Sequence, residues 1–332
     1  MSQKSGEWPD DGFHLPATIS PEAQDMLRSS YSRSGRAALA YPAAADVAGW
    51  HALWSEREEA NLPLAEALVR RFAPTIAERS LAGVPVLDIR PRGWVDDGRA
   101  VVYLHGGCYV LGSARSSRRV SVPMAVESGL RVVSVDYTLA PKGRWQQVTA
   151  EVANVVRALV GEGVAPNRIA LWGDSAGGAL SVVGALRLRD EGDPLPGALL
   201  LWSPWSDVSE VGDTYRTLRE EEPLYLFEQV LSPSAAAYAD PAEHTHPYVS
   251  PVYADFTPGL VPTLIQVGTK EAFLSNAVRL YRALHCAGVP VTLDPYEGMW
   301  HVFQEEIDMP EARLARKNSA AFLQATLPRL SA

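Results

Sequence analysis

The fold is decided by residues 171–178, Leu171-Trp172-Gly173-Asp174-Ser175-Ala176-Gly177-Gly178. Residues 168–172 form a short apolar run that predicts a buried strand, and residues 175–189 carry apolar side chains at the spacing of a helix. A serine on such a strand-to-helix turn, with glycine two residues away on either side, is the nucleophile-elbow pattern G-x-S-x-G. The glycines allow a turn so sharp that a side chain would collide with backbone. Ser175 is therefore the candidate nucleophile, and the alternative is a chance match in a glycine-containing loop.

The composition is that of an ordinary globular chain of 332 residues, 47% hydrophobic and 21% charged, long enough for one α/β core with a lid. The formal net charge of -9 argues against a nucleic-acid partner, because such binding depends on clustered Lys and Arg. Two cysteines, Cys108 and Cys286, are too few for a disulfide framework and fit a reducing compartment. Residues 1–30 lack the apolar core of an export signal, and no run of about eighteen apolar residues could span a bilayer. We expect a cytoplasmic protein with no nucleic-acid partner and no membrane span.

Strands and helices alternate along most of the chain. Short segments rich in Val, Leu and Ile predict strands at residues 84–90, 100–104, 131–135, 168–172, 198–202, 263–267 and 289–295. Helical spacing predicts helices at residues 117–128, 146–160, 175–189, 275–286 and 311–324. Strands that alternate with helices are typical of an α/β fold, in which a mostly parallel sheet is flanked by helices on both faces.

Helical patterns also precede the first of these strands. The first 16 residues predict a loose tail, and residues 21–32 and 47–78 predict amphipathic helices. The apolar stripe of the second helix consists of Trp50, Leu53, Trp54, Leu62, Leu64, Leu68 and Phe72. We interpret residues 1–80 as the N-terminal helical segment of a lid, although an ordinary pair of packing helices fits the pattern equally well.

The alternation is interrupted between residues 203 and 260. This segment is rich in proline and contains the aromatic residues Trp205, Tyr215, Tyr225, Phe227, Tyr238, Tyr248 and Tyr253. An insertion at this place lies above the strand ends, where ligands bind in open α/β sheets. We therefore predict a lid insertion at residues 205–255, and a core formed by residues 81–204 and 256–332.

Residues 105–108, His-Gly-Gly-Cys, follow directly on a predicted strand. Two successive glycines, Gly106 and Gly107, let backbone N–H groups face a developing negative charge without obstruction. Together with the N–H of Ala176 they predict an oxyanion hole with three donors. We expect His105 to brace this loop, and the alternative is a simple glycine turn at the end of a strand.

A serine nucleophile also needs a base and an orienting acid. Of the seven histidines, His301 alone follows the last predicted strand on a glycine turn, which places it at the strand ends. The alternative is a structural histidine packed by its aromatic neighbours. Glu271 follows the preceding strand and completes the chain order nucleophile, acid, histidine. Asp294 is the rival acid, although it belongs to the strand that enters the histidine loop.

Five motifs together resemble those of a known family, and they lie at residues 103–112, 136–141, 173–178, 203–207 and 301–303. From residue 81 onward the chain resembles the hormone-sensitive-lipase-like branch (bacterial family IV) of the α/β-hydrolases, whose bacterial members are esterases. The resemblance implies an α/β-hydrolase fold with a helical lid, and frequent homodimers. It matches the triad to Ser175, Glu271 and His301. It matches the oxyanion hole to Gly106, Gly107 and Ala176.

The chain departs from the family pattern at three places. Cys108 stands where a third glycine is usual, so that a side chain borders the pocket. Lys142 replaces a glutamate, and the entry to the next helix is altered at residues 143–145. Asn276 stands where a second carboxylate is common, which leaves the triad acid with one fewer acidic neighbour. These differences bear on substrate preference, because none of them removes a catalytic group.

These residues predict a carboxylic-ester hydrolase that forms an acyl-enzyme, acts on a small-molecule ester and needs no metal or organic cofactor. Cys108, Tyr109, Trp205 and Trp300 are candidates for an apolar pocket that favours short to medium acyl esters over charged ones, although each can equally belong to the core. A lactone hydrolase of the same mechanism is the alternative. A non-catalytic receptor, like the gibberellin receptors of this branch, is less favoured because those lack the histidine that His301 supplies.

Overall fold

An eight-stranded sheet is the frame of the computed structural model, which describes residues 14–32, 40–224 and 226–330. The strands are Thr75–Leu81 (β1), Val84–Arg90 (β2), Ala100–Leu104 (β3), Arg131–Val135 (β4), Ile169–Asp174 (β5), Ala198–Trp202 (β6), Thr263–Gly268 (β7) and Val291–Tyr296 (β8). They lie in the order β1-β2-β4-β3-β5-β6-β7-β8. Strands β3 to β8 pair in parallel, whereas β2 pairs antiparallel with both β1 and β4. The predicted α/β fold with a mostly parallel sheet is confirmed.

Helices cover both faces of this sheet. The described α-helices are Pro21–Ser32 (α1), Val47–Phe72 (α2), Arg118–Ser128 (α3), Trp145–Gly161 (α4), Ala176–Asp190 (α5), Thr214–Thr217 (α6), Ser232–Tyr238 (α7), Leu274–Cys286 (α8) and Pro310–Thr326 (α9). On one face α4, α5 and α8 pack against the strands, and on the other face α3 and α9 do so. Within the described ranges, no helix contains an apolar stretch of the length that a membrane span needs.

Strand β5 shows why both faces of the sheet are buried. Its side chains alternate, so that Leu171 packs in the core shared with α4 and α5 while Trp172 packs in the core shared with α3 and α9. Both side chains are fully buried, and so are the residues of β3 and β6 on either side. A strand that is buried on both faces is an apolar run, which is the pattern of this segment.

The helix predicted over residues 47–78 is wrong at its C-terminal end. α2 ends at Phe72, and the chain continues into the edge strand β1. β1 and β2 form a hairpin through a turn at residues 82–83, both of which have positive φ, the geometry of a two-residue hairpin turn. α2 continues through Pro63 and ends where Ala73 adopts the left-handed conformation, with φ 46°. Pro74, directly after this cap, is the sequence signal for the boundary, because proline is common just after a helix C-cap. The sheet therefore begins before the predicted boundary at residue 80.

The N-terminal helices pack against the loops at the strand ends. Ile19 and Leu27 form a buried cluster with Trp300, in the segment that follows β8. On α2, Nε1 of Trp54 donates to the carbonyl oxygen of Gly112, at 3.0 Å, in the loop after β3. These contacts connect both helices to loops that carry candidate site residues. Their interpretation as part of a lid stays a prediction.

The segment between β6 and β7 contributes to the main core. It contains α6 and α7, and the side chains of Trp205 and Tyr238 are buried. Tyr225 lies outside the described residues, as does most of the predicted N-terminal tail, residues 1–13. The assignment of residues 205–255 to a lid insertion stays a prediction.

Candidate active site

Ser175 lies on the turn that joins β5 to α5. β5 ends at Asp174 and α5 begins at Ala176, so Ser175 is the single residue between them. Its backbone has φ 55° and ψ -122°, a region that residues with a side chain rarely adopt. Its N–H donates to the carbonyl oxygen of Trp202 at 2.9 Å, which holds the turn against β6. This is the geometry that the nucleophile-elbow pattern predicts.

Glycine is required on both sides of this turn. A Cβ at Gly173 would overlap the backbone of Gly177. A Cβ at Gly177 would overlap the carbonyl oxygen of Leu104 at the end of β3. Because neither side chain is present, β3, β5 and α5 approach closely enough for the serine and the loop after β3 to line one cavity.

His301 and Glu271 form a buried hydrogen-bonded pair. Nδ1 of His301 lies 2.6 Å from Oε2 of Glu271, and the two side chains are 4% and 0% exposed. Because a carboxylate only accepts, Nδ1 donates its hydrogen, which leaves the lone pair on Nε2 available. The other carboxylate oxygen, Oε1, accepts from Ser203 Oγ at 2.8 Å and from the N–H of Gly268 at 2.7 Å. These donors fix the carboxylate, and the carboxylate aligns the imidazole.

The rival acid is engaged elsewhere. Oδ2 of Asp294 accepts from Nε2 of Gln266 at 3.0 Å and from the hydroxyl of Tyr296 at 2.9 Å. Both partners lie on β7 and β8, so the carboxylate is held against the strands. The structure therefore brings Glu271, rather than Asp294, to the histidine.

Glu222 is a further buried acid near this pair, and the sequence did not indicate it. It lies between β6 and β7, is 1% exposed, and accepts from the N–H groups of Ala272 and Leu224, each at 2.8 Å. Burial raises the pKa of Glu222 to about 7. It provides an acidic neighbour although Asn276 replaces the carboxylate usual in the family. No local signal marks it, because the run of acids at residues 220–222 is typical of a solvated loop.

The pKa of His301 is raised above its ordinary value of 6.5. Burial alone would lower it, but the hydrogen bond and charge of Glu271, together with the charges of Glu222 and Asp174, outweigh burial. A histidine with a raised pKa is a stronger base toward a nearby hydroxyl, and it keeps its own proton up to a higher pH.

The loop after β3 brings Gly106 and Gly107 to the cavity that Ser175 lines. Gly107 has φ 117°, and a Cβ there would overlap the carbonyl oxygen of Leu111. Ala176 is the first residue of α5, whose N–H has no acceptor within the helix. Among the described residues, no hydrogen bond uses the N–H of Gly106, Gly107 or Ala176. These donors are therefore available to a ligand.

His105 holds this loop in shape. Its Nδ1 lies 2.8 Å from the carbonyl oxygen of Gly106, and its ring stacks on that of Tyr137 with centroids 4.3 Å apart. The hydroxyl of Tyr137 donates to the carbonyl oxygen of His105 at 2.7 Å. These contacts fit the bracing role expected for His105.

A cavity of about 320 Å³ is lined by the serine, the histidine and the loop glycines. Helix α2 contributes Arg57 and Asn61, while Arg119 and Glu305 also line the cavity and form an ion pair. The sequence did not indicate these residues, because charged and polar positions on a helix are typical of a solvated face. Within the ranges that the structure describes, no group of three or more His, Cys, Asp or Glu side chains is placed to hold a metal ion.

Of the four predicted pocket residues, Cys108 lines this cavity and the three aromatic residues do not. Cys108 has φ 55°, at the position where the family has glycine. Tyr109 stacks on Tyr238, with centroids 3.8 Å apart, and on Trp205 at 5.5 Å. Trp300 packs in the cluster with α1. These three belong to the core, because packing against other apolar side chains removes their large rings from water.

Residues 101–305 match a protein family that is described as having the alpha/beta hydrolase fold. The chain is similar to an acetyl-hydrolase of Streptomyces hygroscopicus, with 36% identity over 267 residues that cover 77% of this chain and 89% of that one. It is similar to the carboxylesterase NlhH of Mycobacterium tuberculosis, with 32% identity over 237 residues that cover 68% of this chain and 73% of that one. A crystal structure of an esterase from the bacterial hormone-sensitive lipase family aligns with a TM-score of 0.78 and 32% identity, and the alignment covers 93% of this chain and 99% of that one.

Proposed function

The chain is a carboxylesterase of the α/β-hydrolase family and of its hormone-sensitive-lipase branch, and we propose that it cleaves its ester with Ser175 as the nucleophile. One observation carries the proposal: His301, which is hydrogen-bonded to the buried Glu271, lines the same cavity as Ser175. A histidine aligned by a carboxylate, a serine on a strained turn and unused N–H donors are the groups that acyl transfer needs.

The first half of the reaction acylates the serine. Nε2 of His301 accepts the proton of the Ser175 hydroxyl while Oγ bonds to the ester carbonyl carbon, and the C=O electron pair moves to oxygen. The N–H groups of Gly106, Gly107 and Ala176 bind that oxyanion. When the carbon–oxygen bond to the alcohol breaks, the histidine gives its proton to the departing oxygen, and the acyl group stays on Oγ.

Water is the nucleophile of the second half. His301 takes a proton from the water, whose oxygen bonds to the acyl carbon while the same donors hold the oxyanion. The bond to Ser175 then breaks, Oγ recovers a proton from the histidine, and the carboxylic acid is released. Glu271 keeps its negative charge throughout, because its task is to orient the imidazole and stabilise the imidazolium.

The volume and lining of the cavity support a proposal for substrate size and for a lid. Its volume of about 320 Å³ suits short to medium acyl esters. Arg57 and Asn61 of α2 line it, and so does Leu224 from the segment between β6 and β7. In this proposal the N-terminal helices and residues 205–255 act as the lid over the strand ends. A lactone would be opened by the same steps.

Ser175→Ala tests the nucleophile. We expect its rate of p-nitrophenyl butyrate hydrolysis to fall by roughly 10⁵-fold or more, because the remaining groups cannot form the acyl-enzyme. Ser181→Ala is the matched control, since this buried serine of α5 donates to the carbonyl oxygen of Gly177 and should retain activity when changed. Full activity in Ser175→Ala would refute the mechanism.

Covalent labelling gives an independent test. A serine-directed fluorophosphonate should add its mass at Ser175 in the wild type, and peptide mass spectrometry should find no adduct in Ser175→Ala. An adduct at another serine would reassign the nucleophile. Rates for open-chain esters of increasing acyl length and for lactones of equal carbon number then establish which esters the cavity prefers.

A further inference from the structure

The cavity contains one arginine whose charge is not compensated. Arg57 lines it and forms no ion pair or hydrogen bond with any residue in the described ranges, and its Nε is buried without an acceptor among them. The other charged residues of the lining are engaged: Arg119 pairs with Glu305, and Asp174 accepts from the hydroxyl of Tyr103 at 2.6 Å. A buried donor without an acceptor costs free energy that a ligand with an acceptor recovers.

The acid next to Arg57 does not neutralise it. The oxygens of Glu58 accept from Oγ of Ser113 at 2.7 Å and from Oγ of Ser116 at 2.5 Å, in the segment before α3. Adjacent residues on a helix do not face each other, so these bonds leave the guanidinium unpaired. Asn61, four residues after Arg57, lines the same cavity because positions i and i+4 share a helix face. Helix α2 thus offers an arginine and an amide to the cavity.

We propose, building on the esterase function above, that the substrate is an ester carrying a second, free carboxylate, which Arg57 and Asn61 bind. A guanidinium presents paired N–H donors that match the two oxygens of a carboxylate, and the amide adds a further donor. The chain has a formal net charge of -9, and the acids Glu271 and Glu222 lie near the histidine. Both features repel an anionic substrate, so the cavity needs a positively charged group to admit one. This reverses the expectation that the pocket disfavours charged esters.

Two matched pairs of esters test the proposal. Monoethyl adipate and ethyl hexanoate differ in a terminal carboxylate on the acyl side, while 5-acetoxypentanoate and pentyl acetate differ in the same way on the alcohol side. We expect wild-type kcat/KM to be higher for the anionic ester in at least one pair. Arg57→Gln should lower kcat/KM for that ester by about tenfold to a hundredfold, mainly through KM, and change the neutral ester by less than about threefold.

Two further variants serve as controls. Arg57→Lys keeps the charge without the planar fork and should retain part of the preference. Arg115→Gln removes a positive charge from a side chain that is 66% exposed, lies 3.8 Å from Glu66 and is absent from the cavity lining, so it should leave the preference unchanged. Proton release at constant pH measures all the rates.

Several results would overturn the proposal. A wild-type preference for the neutral ester in both pairs would exclude a carboxylate site, and an equal loss on anionic and neutral esters in Arg57→Gln would show a structural role. p-Nitrophenyl butyrate separates the two claims: if the wild type hydrolyses it and shows no anionic preference, the carboxylate site alone is rejected. If the wild type hydrolyses none of these esters, the esterase function is rejected as well.

Discussion

At the scale of single residues, the proposed chemistry depends on the acid that orients His301. Glu271→Gln keeps the size of the side chain but removes the charge that stabilises the imidazolium, and we expect kcat to fall by about four orders of magnitude. Asp294→Asn is the matched acid-to-amide change at a carboxylate bonded to Gln266 and Tyr296, and it should retain kcat. The two rates are compared on p-nitrophenyl butyrate. The opposite ranking would identify Asp294 as the acid.

Ser203 should contribute to catalysis although it touches no substrate. Its Oγ donates to Oε1 of Glu271 at 2.8 Å and accepts from the N–H of Val302 at 3.1 Å, so one hydroxyl connects the acid to the histidine loop. Ser203→Ala removes both bonds, and we expect kcat to fall roughly tenfold with little change in KM. An unchanged kcat would show that Gly268 alone holds this oxygen of the carboxylate.

The pH dependence of the rate follows from the charges around His301. The imidazole acts as a base only when it is neutral, and its pKa is raised above 6.5, so kcat/KM for a neutral ester should rise through a midpoint above pH 6.5. The charge of Glu222 contributes to this rise, and Glu222→Gln should therefore move the midpoint to lower pH. Initial rates between about pH 5 and pH 9 measure it. An unchanged midpoint in Glu222→Gln would show that Glu222 does not affect the pKa of His301.

At the scale of secondary-structure elements, the turn between β5 and α5 tolerates change least. Gly177→Ala places a Cβ against the carbonyl oxygen of Leu104, and we expect it to lower the free energy of unfolding by about 3 kcal/mol or more and to abolish activity. Gly161→Ala, at the end of α4, adds a Cβ that meets no atom within 4 Å and should raise stability by up to about 1 kcal/mol. Urea denaturation measures both. Equal midpoints for Gly177→Ala and the wild type would contradict this packing.

Elements whose apolar pattern has a clear period could be predicted from sequence. β5 and its neighbours are continuous apolar runs because they are buried on both faces, and the chain order of nucleophile, acid and histidine selected Ser175, Glu271 and His301. β1 could not be predicted from its pattern, because it lies at the edge of the sheet and Leu81 is its one fully buried residue. Burial therefore places little constraint on its sequence.

Residues whose role depends on a distant element could not be predicted. Arg57 and Glu222 have the local pattern of solvated charges, and only the folded chain places one at the cavity and the other in the core. Tyr109 and Trp205 show the converse, since an aromatic residue near a site can face either the ligand or the core. The catalytic roles themselves stay proposals that the variants above test.

At the scale of the whole molecule, the candidate site exists only in the folded chain. α2, the loop after β3, the turn before α5 and the loop after β8 all contribute to the cavity lining, and they are separated by long stretches of sequence. Folding therefore buries Glu222 and His301 together with the site, and their protonation is coupled to the free energy of unfolding.

This coupling predicts how stability changes with pH. Burial raises the pKa of Glu222 and of Glu306 to about 7 from an ordinary value of 4.5, so between these values the native protein binds more protons than the unfolded chain. The free energy of unfolding should then decrease as the pH rises through this window, and His301, with its raised pKa, acts in the same direction above pH 6.5. Asp88 acts in a lower pH range. Burial alone would raise its pKa, but Arg131 lowers the pKa below 3.8, so the stabilisation that Asp88 gives the native protein is lost only below about pH 4.

Glu222→Gln isolates the contribution of Glu222 to this pH dependence. The amide is neutral at every pH, whereas the carboxyl of Glu222 in the wild type loses its proton between pH 5 and pH 8. The free energy of unfolding of the variant, relative to that of the wild type, should therefore be about 2 to 3 kcal/mol higher at pH 8 than at pH 5. Urea denaturation at the two pH values measures the difference, and Glu220→Gln, a change at an exposed neighbour, should follow the wild type at both. If the difference between Glu222→Gln and the wild type is the same at pH 5 and pH 8, Glu222 does not titrate in this window. Its charge would then be constant across the working range of His301, and the midpoint of kcat/KM would report the histidine alone.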